Sequence, residues 1–217
     1  MTITVDRRQV EAALAARDFK HFLEYVRLLE PPPGQALIPF AFWDHLAAVT
    51  DLLLTRRLVA ILKARQIGVS WLLAAYTLWV VLYHEGAVAL LISKGQNEAG
   101  DLLDKVKFIH QQLPQWLQKR VGVSSGQELS FPDMHSKITA LPSTENAGRS
   151  EAATLVVQDE ADFHEHLDSN YAAIKPTVDA GGQLIMASTA NKRRLTSLFK
   201  QVYRGAAAWP NGRASDD

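Results

Sequence analysis

The chain has 217 residues, of which 47% are hydrophobic and 21% charged, so it has an ordinary globular composition with room for one substantial domain. Lysine plus arginine and aspartate plus glutamate both number 23, which excludes a polycation, and any nucleic-acid contact must come from local basic patches. There is no cysteine, which excludes disulfides and thiolate metal sites.

The N-terminal segment is predicted to form a helical extension. Residues 9–29 place apolar side chains at helical spacing, and the inward face consists of Phe19, Phe22, Leu23, Val26 and Leu29. The sequence PPPG at 31–34 ends this helix and predicts a linker. We therefore expect an extension over 1–34, a main domain over 35–205, and a frayed tail or the start of an interdomain linker over 206–217.

No targeting or membrane segment is expected. The first residues are polar and interrupted by charge, unlike a signal peptide. The longest apolar run, residues 71–83, has thirteen residues, whereas a membrane span needs about twenty. The sequence thus predicts a soluble, cytoplasmic protein.

The main domain alternates helical and extended patterns. In chain order we predict a helix over 42–56, a strand over 58–62, a helix over 70–83, a strand over 87–93, a helix over 97–112, two short strands within 128–143, strands over 154–160 and 183–189, and a helix over 195–204. The run at 87–93 is apolar without alternation, as in a parallel strand buried on both faces. The pattern predicts an α/β fold with a mostly parallel sheet between layers of helices.

The stretch LVAILKARQIGVSWLLAAY, residues 58–76, has the outline of a phosphate-binding loop, in which a strand feeds a helix through a tight turn. The usual pattern G-x-x-x-x-G-K-[ST] fails at two positions, because Lys63 replaces the first glycine and Val69 replaces the lysine. Gly68 supplies the turn, and the Ser70 hydroxyl opens the helix and can ligate Mg²⁺. The loop wraps around its ligand, so Lys63 can bring an ammonium group to the phosphates from the other side, with Arg65 as a second cation. The predicted ATP-binding loop comprises Lys63, Ala64, Arg65, Gln66, Ile67, Gly68, Val69 and Ser70.

A plain strand-turn-helix with Ser70 as its N-cap explains the same residues. The ends of later strands help to distinguish a phosphate-binding loop from a plain strand-turn-helix, because ligands of open α/β sheets bind at the carboxyl ends of the strands. TLVVQDE ends in Asp159 and Glu160, which suit a division of labour: Asp159 holds Mg²⁺ and Glu160 polarises the attacking water. Taken alone, this pair is equally typical of a solvated acidic loop. QLIMASTAN adds the hydroxyl groups of Ser188 and Thr189 at a third strand end.

Together these motifs resemble the N-terminal ATPase domain of the large terminase subunit, the motor that packages DNA into tailed bacteriophage heads. In that family the first motif often reads [KR]-x-R-Q-x-G-x-[ST], which KARQIGVS fits with the lysine displaced to the front. LVVQDEAD resembles the strand with the catalytic glutamate, and ASTAN resembles the coupling motif formed here by Ser188, Thr189 and Asn191. The resemblance runs from about residue 38 to residue 203.

The resemblance implies a P-loop NTPase fold of the RecA-like class with an extra strand and a catalytic glutamate (ASCE). It also implies hydrolysis of ATP, with Mg²⁺, to drive double-stranded DNA into a procapsid. The implied partners are the DNA, the portal protein and the small terminase subunit, in a homo-oligomeric ring in the host cytoplasm, with a monomer expected for the chain alone. Arg149, ten residues before Asp159, would act as the arginine finger in a neighbour's site; a solvated loop arginine is the alternative.

The chain also departs from the family. The adenine-contacting glutamine has no counterpart, and Trp43, Asp44 and His45 stand in its neighbourhood. The family's nuclease domain has no counterpart either, so no nuclease activity is expected. Two other functions stay open: a fragment of a superfamily-2 helicase, suggested by DEAD at 159–162, and a docking module for portal or small terminase without turnover.

Overall fold

A computed structural model describes residues 6–30, 36–148 and 152–205, and the backbone of two further strands at 207–209 and 212–215. The helices within these ranges are α1 (Arg7–Arg17), α2 (Phe19–Leu23), α3 (Asp44–Thr55), α4 (Val69–Tyr83), α5 (Gln96–Gln112), α6 (Leu167–Asp179) and α7 (Leu198–Gly205). The strands are β1 (Arg27–Leu29), β2 (Leu37–Pro39), β3 (Leu58–Leu62), β4 (Val88–Ser93), β5 (Glu128–Phe131), β6 (Ser136–Pro142), β7 (Leu155–Asp159), β8 (Gln183–Ser188), β9 (Ala207–Trp209) and β10 (Gly212–Ser215).

The main sheet has eight strands in the order β5-β6-β4-β7-β8-β3-β10-β9. Strands β6, β4, β7, β8 and β3 run parallel to one another, while β5 is antiparallel to β6, β10 to β3 and β9 to β10. Strand β8 lies between β3 and β7, so the two strands that carry the candidate loop and the acidic pair are separated by one strand. Because β3, β8 and β7 are parallel, their carboxyl ends lie side by side along the same edge of the sheet, the one formed by strand ends.

The two faces of the sheet carry separate hydrophobic cores. One core packs α1, α2, α4 and α5 against alternate residues of the strands, such as Val59, Leu91 and Val157. The other packs α6 and α7 against the intervening residues, such as Ala60, Leu90 and Val156. Because successive side chains of a strand point to opposite faces, two covered faces require strands that are apolar throughout. The predicted layered α/β fold with a mostly parallel sheet is confirmed.

Helix α4 is the central helix of the first core. Its residues are apolar on nearly every side, and Leu72, Leu73, Leu78 and Leu82 are fully buried. A helix that is hydrophobic all round is stable only when it is covered all round. This explains the apolar run at 71–83, and no helix in the described part of the chain is long and apolar enough to cross a membrane.

The predicted single helix over 9–29 is wrong. Helix α1 ends at Asp18, where the backbone is extended. The Asp18 side chain accepts a hydrogen bond of 2.8 Å from the Lys20 N–H and so caps the start of a second helix, α2. After α2 the chain becomes strand β1, which pairs antiparallel with β2. Leu29 therefore leaves the inward face and is 43% exposed.

Two further differences concern the C-terminal part. Helix α6 was not predicted, because Asn170 and Pro176 inside it are typical of breaks in a helix. The predicted frayed tail is also corrected, since the described residues 207–209 and 212–215 form paired strands, with β10 antiparallel to β3. The helix predicted over 195–204 begins later, at Leu198. The remaining predicted elements of the main domain agree with the structure to within two residues at either end.

Candidate phosphate-binding site

The candidate loop is a tight turn between β3 and α4. The Lys63 N–H donates to the Ser188 carbonyl at 2.9 Å, which extends the pairing of β3 with β8 by one residue. The chain then reverses through Gln66 and Gly68, whose φ angles are 60° and 82°. Helix α4 begins directly after Gly68, so the free N–H groups of its first turn face the turn. An N-terminus of this kind stabilises an anion.

Lys63 lies beside both carboxylates of the acidic pair. Its Nζ is 2.8 Å from Glu160 Oε1 and 3.3 Å from Asp159 Oδ1, and the side chain is only 7% exposed. Burial alone would lower the pKa of the Lys63 ammonium, but the charges and hydrogen bonds of Asp159 and Glu160 outweigh burial and raise that pKa. The turn therefore presents an ammonium group that is charged at neutral pH to the carboxyl ends of the strands.

Glu160 is held in a strained conformation. Its φ and ψ of 52° and 41° lie in the left-handed region, which residues other than glycine rarely adopt. Oε2 accepts from the Thr189 backbone N–H at 3.1 Å and from the Thr189 hydroxyl at 2.9 Å. Burial alone would raise the pKa of Glu160, but Lys63 and these two donors lower it. The sharp turn thus directs an ionised carboxylate to the space beside Lys63.

Asp159 and Ser70 supply oxygen ligands at the same place. The Ser70 hydroxyl donates to Asp159 Oδ2 at 3.1 Å, although the two residues are far apart in sequence. Mg²⁺ in nucleotide enzymes is held by one or two protein oxygens together with phosphates and waters, and this pair fits that donor set. No group of three or more His, Cys, Asp and Glu side chains that could hold a metal ion occurs among the described residues.

A buried carboxylate connects this site to α7. Asp162 is fully buried, and its carboxylate accepts from the Asn191 N–H at 2.6 Å and from the Ser197 hydroxyl. Lys200 Nζ lies 3.1 Å from the same carboxylate. The Ser188 hydroxyl accepts from the Asp162 N–H at 3.0 Å, so the segment after β7 and the segment after β8 are joined. Sequence reasoning missed this role, although a third acidic residue in the segment DEAD, directly after a buried strand, was a usable signal.

The structure brings five of the predicted site residues together. Lys63, Ser70, Asp159, Glu160 and Thr189 form one cluster joined by hydrogen bonds. Ser188 is fully buried and bonded to backbone groups, and Asn191 contacts Asp162 instead of the cluster.

Arg65 is exposed on the turn. Arg149 lies outside the described residues.

An apolar pocket adjoins the turn. Its volume is about 290 Å³, and it is lined by the turn, the first residues of α4 and Lys105. The rest of its lining consists of the apolar side chains of Leu28, Leu29, Ile38 and Trp43. The site is therefore a charged edge of the sheet continued by an apolar recess.

The fold and the geometry of this edge define the class, an α/β protein with the fold of P-loop ATPase domains. No protein-family model matches the chain. The chain is similar to the Thermus phage P74-26 large terminase ATPase domain, with a TM-score of 0.57 and 18% identity over 80% of this chain and 75% of that chain. For the HK97 bacteriophage large terminase the TM-score is 0.65 at 16% identity, over 92% of this chain and 41% of that chain. For the large terminase of the thermophilic bacteriophage D6E the TM-score is 0.55 at 10% identity, over 69% of this chain and 39% of that chain.

These similarities confirm the predicted fold, which is that of the large terminase ATPase domains. The chain spans well under half of the HK97 and D6E proteins.

Proposed function

We propose that this chain is the ATPase domain of a phage large terminase, which hydrolyses ATP to move double-stranded DNA into a procapsid. The observation that carries the proposal is the meeting of Lys63, Ser70, Asp159 and Glu160 at one edge of a sheet, beside a helix N-terminus. An ammonium group, a hydroxyl and two carboxylates are the groups that phosphoryl transfer to water requires. The fold shared with large terminase ATPase domains supports the same function.

In this proposal the residues of the turn bind the phosphates. The N–H groups of the turn and of the first turn of α4 donate to phosphate oxygens, and Lys63 adds a charged donor from the start of the loop. Ser70 and Asp159 hold Mg²⁺, which neutralises charge on the phosphates when it is bound. Lys63 then exchanges part of its contact with the carboxylates for contact with the phosphates.

Glu160 orients the attacking water. Its Oε1 accepts a hydrogen bond from Lys63, and contact of Lys63 with a phosphate would free this oxygen to accept a hydrogen bond from water. Thr189 holds the other oxygen with two donors, so the carboxylate keeps its direction. Because Thr189 follows β8, a shift of Glu160 is transmitted to the segment over 189–191. This contact supports a coupling role for Thr189.

Arg149 supplies the last cation in our proposal. It precedes β7 in the sequence and would reach the site of the next subunit in a ring assembled on the portal, with DNA and the small terminase subunit as further partners. We also propose that the isolated domain is a monomer in the host cytoplasm. It would bind ATP and hydrolyse it slowly, because the cation from a neighbouring subunit is then missing.

The test is the turnover of ATP by the purified protein and by Glu160→Gln, measured with and without Mg²⁺. The variant keeps the shape of the side chain but removes the base, so it should bind ATP and lose about a hundredfold or more in rate. Glu85→Gln, an exposed glutamate after α4, is the matched control and should keep the normal rate. Near-normal turnover in Glu160→Gln would mean that the base is a different residue. ATP binding without any Mg²⁺-dependent turnover in the wild type, even in the presence of portal and DNA, would favour the docking module.

A further inference from the structure

Two hydrogen bonds hold the carbonyl group of Asp159, which belongs to the peptide unit that leads into Glu160. His164 Nε2 lies 2.9 Å from this oxygen, and the Ser93 hydroxyl donates to it at 3.3 Å. Rotation of the same peptide unit changes the φ angle of Glu160, and a residue other than glycine stays in the left-handed region only where its surroundings fix the backbone. The side-chain hydrogen bonds of Glu160 end on its carboxylate, so the bonds to the Asp159 carbonyl are the ones that hold this peptide unit.

His164 closes a short loop at the end of β7. After Asp159 the chain makes one turn of 3₁₀-helix, in which the Phe163 N–H donates to the Glu160 carbonyl at 2.9 Å. The imidazole ring then reaches back to Asp159, five residues earlier. His164 is fully buried, and Arg194 donates to its backbone carbonyl at 2.9 Å. The ring and the backbone of His164 are therefore both fixed.

The contact with a carbonyl oxygen determines which nitrogen of the ring carries the hydrogen. A carbonyl oxygen only accepts, so Nε2 of His164 must be the donor. Nδ1 is buried and has no hydrogen-bond partner among the described residues, so a hydrogen on Nδ1 would be buried without an acceptor, which is costly. The geometry is thus that of a neutral ring with its one hydrogen on Nε2, directed at Asp159.

We propose that His164 is a positioning residue for Glu160. Its Nε2–H holds the Asp159 carbonyl, and with it the peptide unit that keeps Glu160 in the left-handed conformation. This inference rests on the proposed function, in which Glu160 orients the attacking water. A displacement of about 1 Å in such a group can cost about a hundredfold in rate. The groups proposed to bind ATP and Mg²⁺ are others, so the affinity for ATP should not depend on His164.

The first experiment measures kcat, KM and the affinity for ATP with Mg²⁺. His164→Leu fills much of the space without a donor and should lose about 10- to 100-fold in kcat, with the affinity unchanged. The amide of His164→Gln can donate from nearly the position of Nε2, so this variant should recover most of the rate. His166→Leu is the matched control and should behave like the wild type, because the His166 side chain forms no capping hydrogen bond at the start of α6.

A double variant separates positioning from a general loss of correctly folded protein. In Glu160→Gln the base is already absent, so its position no longer matters. His164→Leu added to Glu160→Gln should therefore lower the remaining rate by less than about threefold, whereas two independent defects would multiply. Urea titration of the same proteins measures stability separately. If His164→Leu does not fold, His164→Asn takes its place, because its shorter side chain cannot reach the Asp159 carbonyl, and the same losses are expected.

Nuclear magnetic resonance of the ring nitrogens tests the contact without turnover. In wild type carrying isotopically labelled histidine, the His164 signals are those missing from the His164 variants, and they should show the hydrogen on Nε2. A hydrogen on Nδ1 would overturn the inference, since Nε2 could not then donate.

The kinetic results can also overturn the inference. An unchanged kcat in the variant without the donor, or an equal loss with and without the Glu160 carboxylate, would show that His164 does not act through Glu160. Both results leave the proposed function intact, because the wild type still hydrolyses ATP. A wild type that binds and hydrolyses no ATP would instead contradict the proposed function, and the role of His164 would fail with it.

Discussion

At the scale of single residues, the position of Lys63 decides how the site is charged. The ammonium group and the two carboxylates of Asp159 and Glu160 carry one positive and two negative charges, so the cluster retains one net negative charge. A divalent cation is attracted to such a cluster, and Ser70 adds a neutral oxygen beside it. In contrast, Val69, at the position where the usual motif has its lysine, is 2% exposed and packs in the core below the turn.

Lys63→Ala is expected to abolish ATP binding. The variant removes the charged donor of the turn and leaves Asp159 and Glu160 without a counter-charge, so the phosphates would meet two carboxylates. Val69→Ala is the control, because it changes the residue at the usual lysine position and should reduce packing only. Affinity for ATP can be measured by calorimetry. Equal affinity in wild type and Lys63→Ala would show that another residue is the phosphate lysine.

Asp159→Ala is expected to remove the dependence of ATP binding on Mg²⁺. The wild type should bind ATP more weakly after a chelator removes Mg²⁺, because Asp159 then lacks the ion that links it to the phosphates. In the variant the affinity should already be low and should not change with the chelator. Affinities measured in excess Mg²⁺ and in excess chelator give the comparison. An equal effect of the chelator on both proteins would rule out Asp159 as the ligand.

At the scale of elements, Asp162 holds three segments together. It follows the turn after β7, accepts from the segment after β8, and contacts Ser197 and Lys200 at α7. The ion pair with Lys200 is nearly dry, since Asp162 is fully buried and the Lys200 side chain is 18% exposed. Removal of one partner from a buried pair leaves the other charge without compensation, and such losses are large.

Asp162→Ala is therefore expected to lower the free energy of unfolding by about 3–5 kcal/mol, as measured by urea titration. Asp133→Ala breaks the exposed pair with Arg120, in which both side chains are more than half exposed, and should hardly change stability. Asp162→Asn keeps the shape and part of the hydrogen bonding, so its loss should be smaller than that of the alanine variant. Equal stability of Asp162→Ala and Asp133→Ala would show that the buried network contributes little.

At the scale of the whole molecule, the role proposed for Arg149 places one group of each site on a neighbouring subunit. Lys63, Ser70, Asp159 and Glu160 lie in one chain, so a single subunit has the groups to bind ATP. The charge that grows on the transferred phosphoryl group still needs a further cation, and an arginine finger contributes about 10³–10⁵ in rate. If Arg149 acts on a neighbour, turnover per subunit should rise with protein concentration.

Mixing two inactive variants tests this arrangement. In a mixture of Glu160→Gln and Arg149→Ala, some interfaces pair an intact Glu160 with a neighbour's intact Arg149, so ATPase activity should return. A mixture of Glu160→Gln and Lys63→Ala is the matched control, because every site then lacks either the base or the phosphate lysine, and it should stay inactive. If the first mixture is as inactive as the second, while wild type is active at the same concentration, Arg149 is not a finger in trans.

The sequence by itself determined the layered α/β fold and the strand ends at which polar residues collect. Apolar periodicity and apolar runs are local, so residues 58–62, 87–93 and 183–189 predicted strands without knowledge of their neighbours. It also predicted that Lys63, Asp159 and Glu160 would share one edge, because parallel strands present their carboxyl ends together. The roles of these residues in catalysis stay predictions.

Only the tertiary structure decided which groups touch. The order of the strands places β8 between β3 and β7, and this brings Thr189 to Glu160 and Lys63 to both carboxylates. The contact of Trp43 with Gly68 and the ion pair of Asp162 with Lys200 were likewise visible only in the structure. So was the pairing with β2 that makes residues 27–29 a strand instead of the predicted helix. Contacts between residues far apart in sequence depend on how whole elements pack against one another, and no local pattern of side chains records that packing.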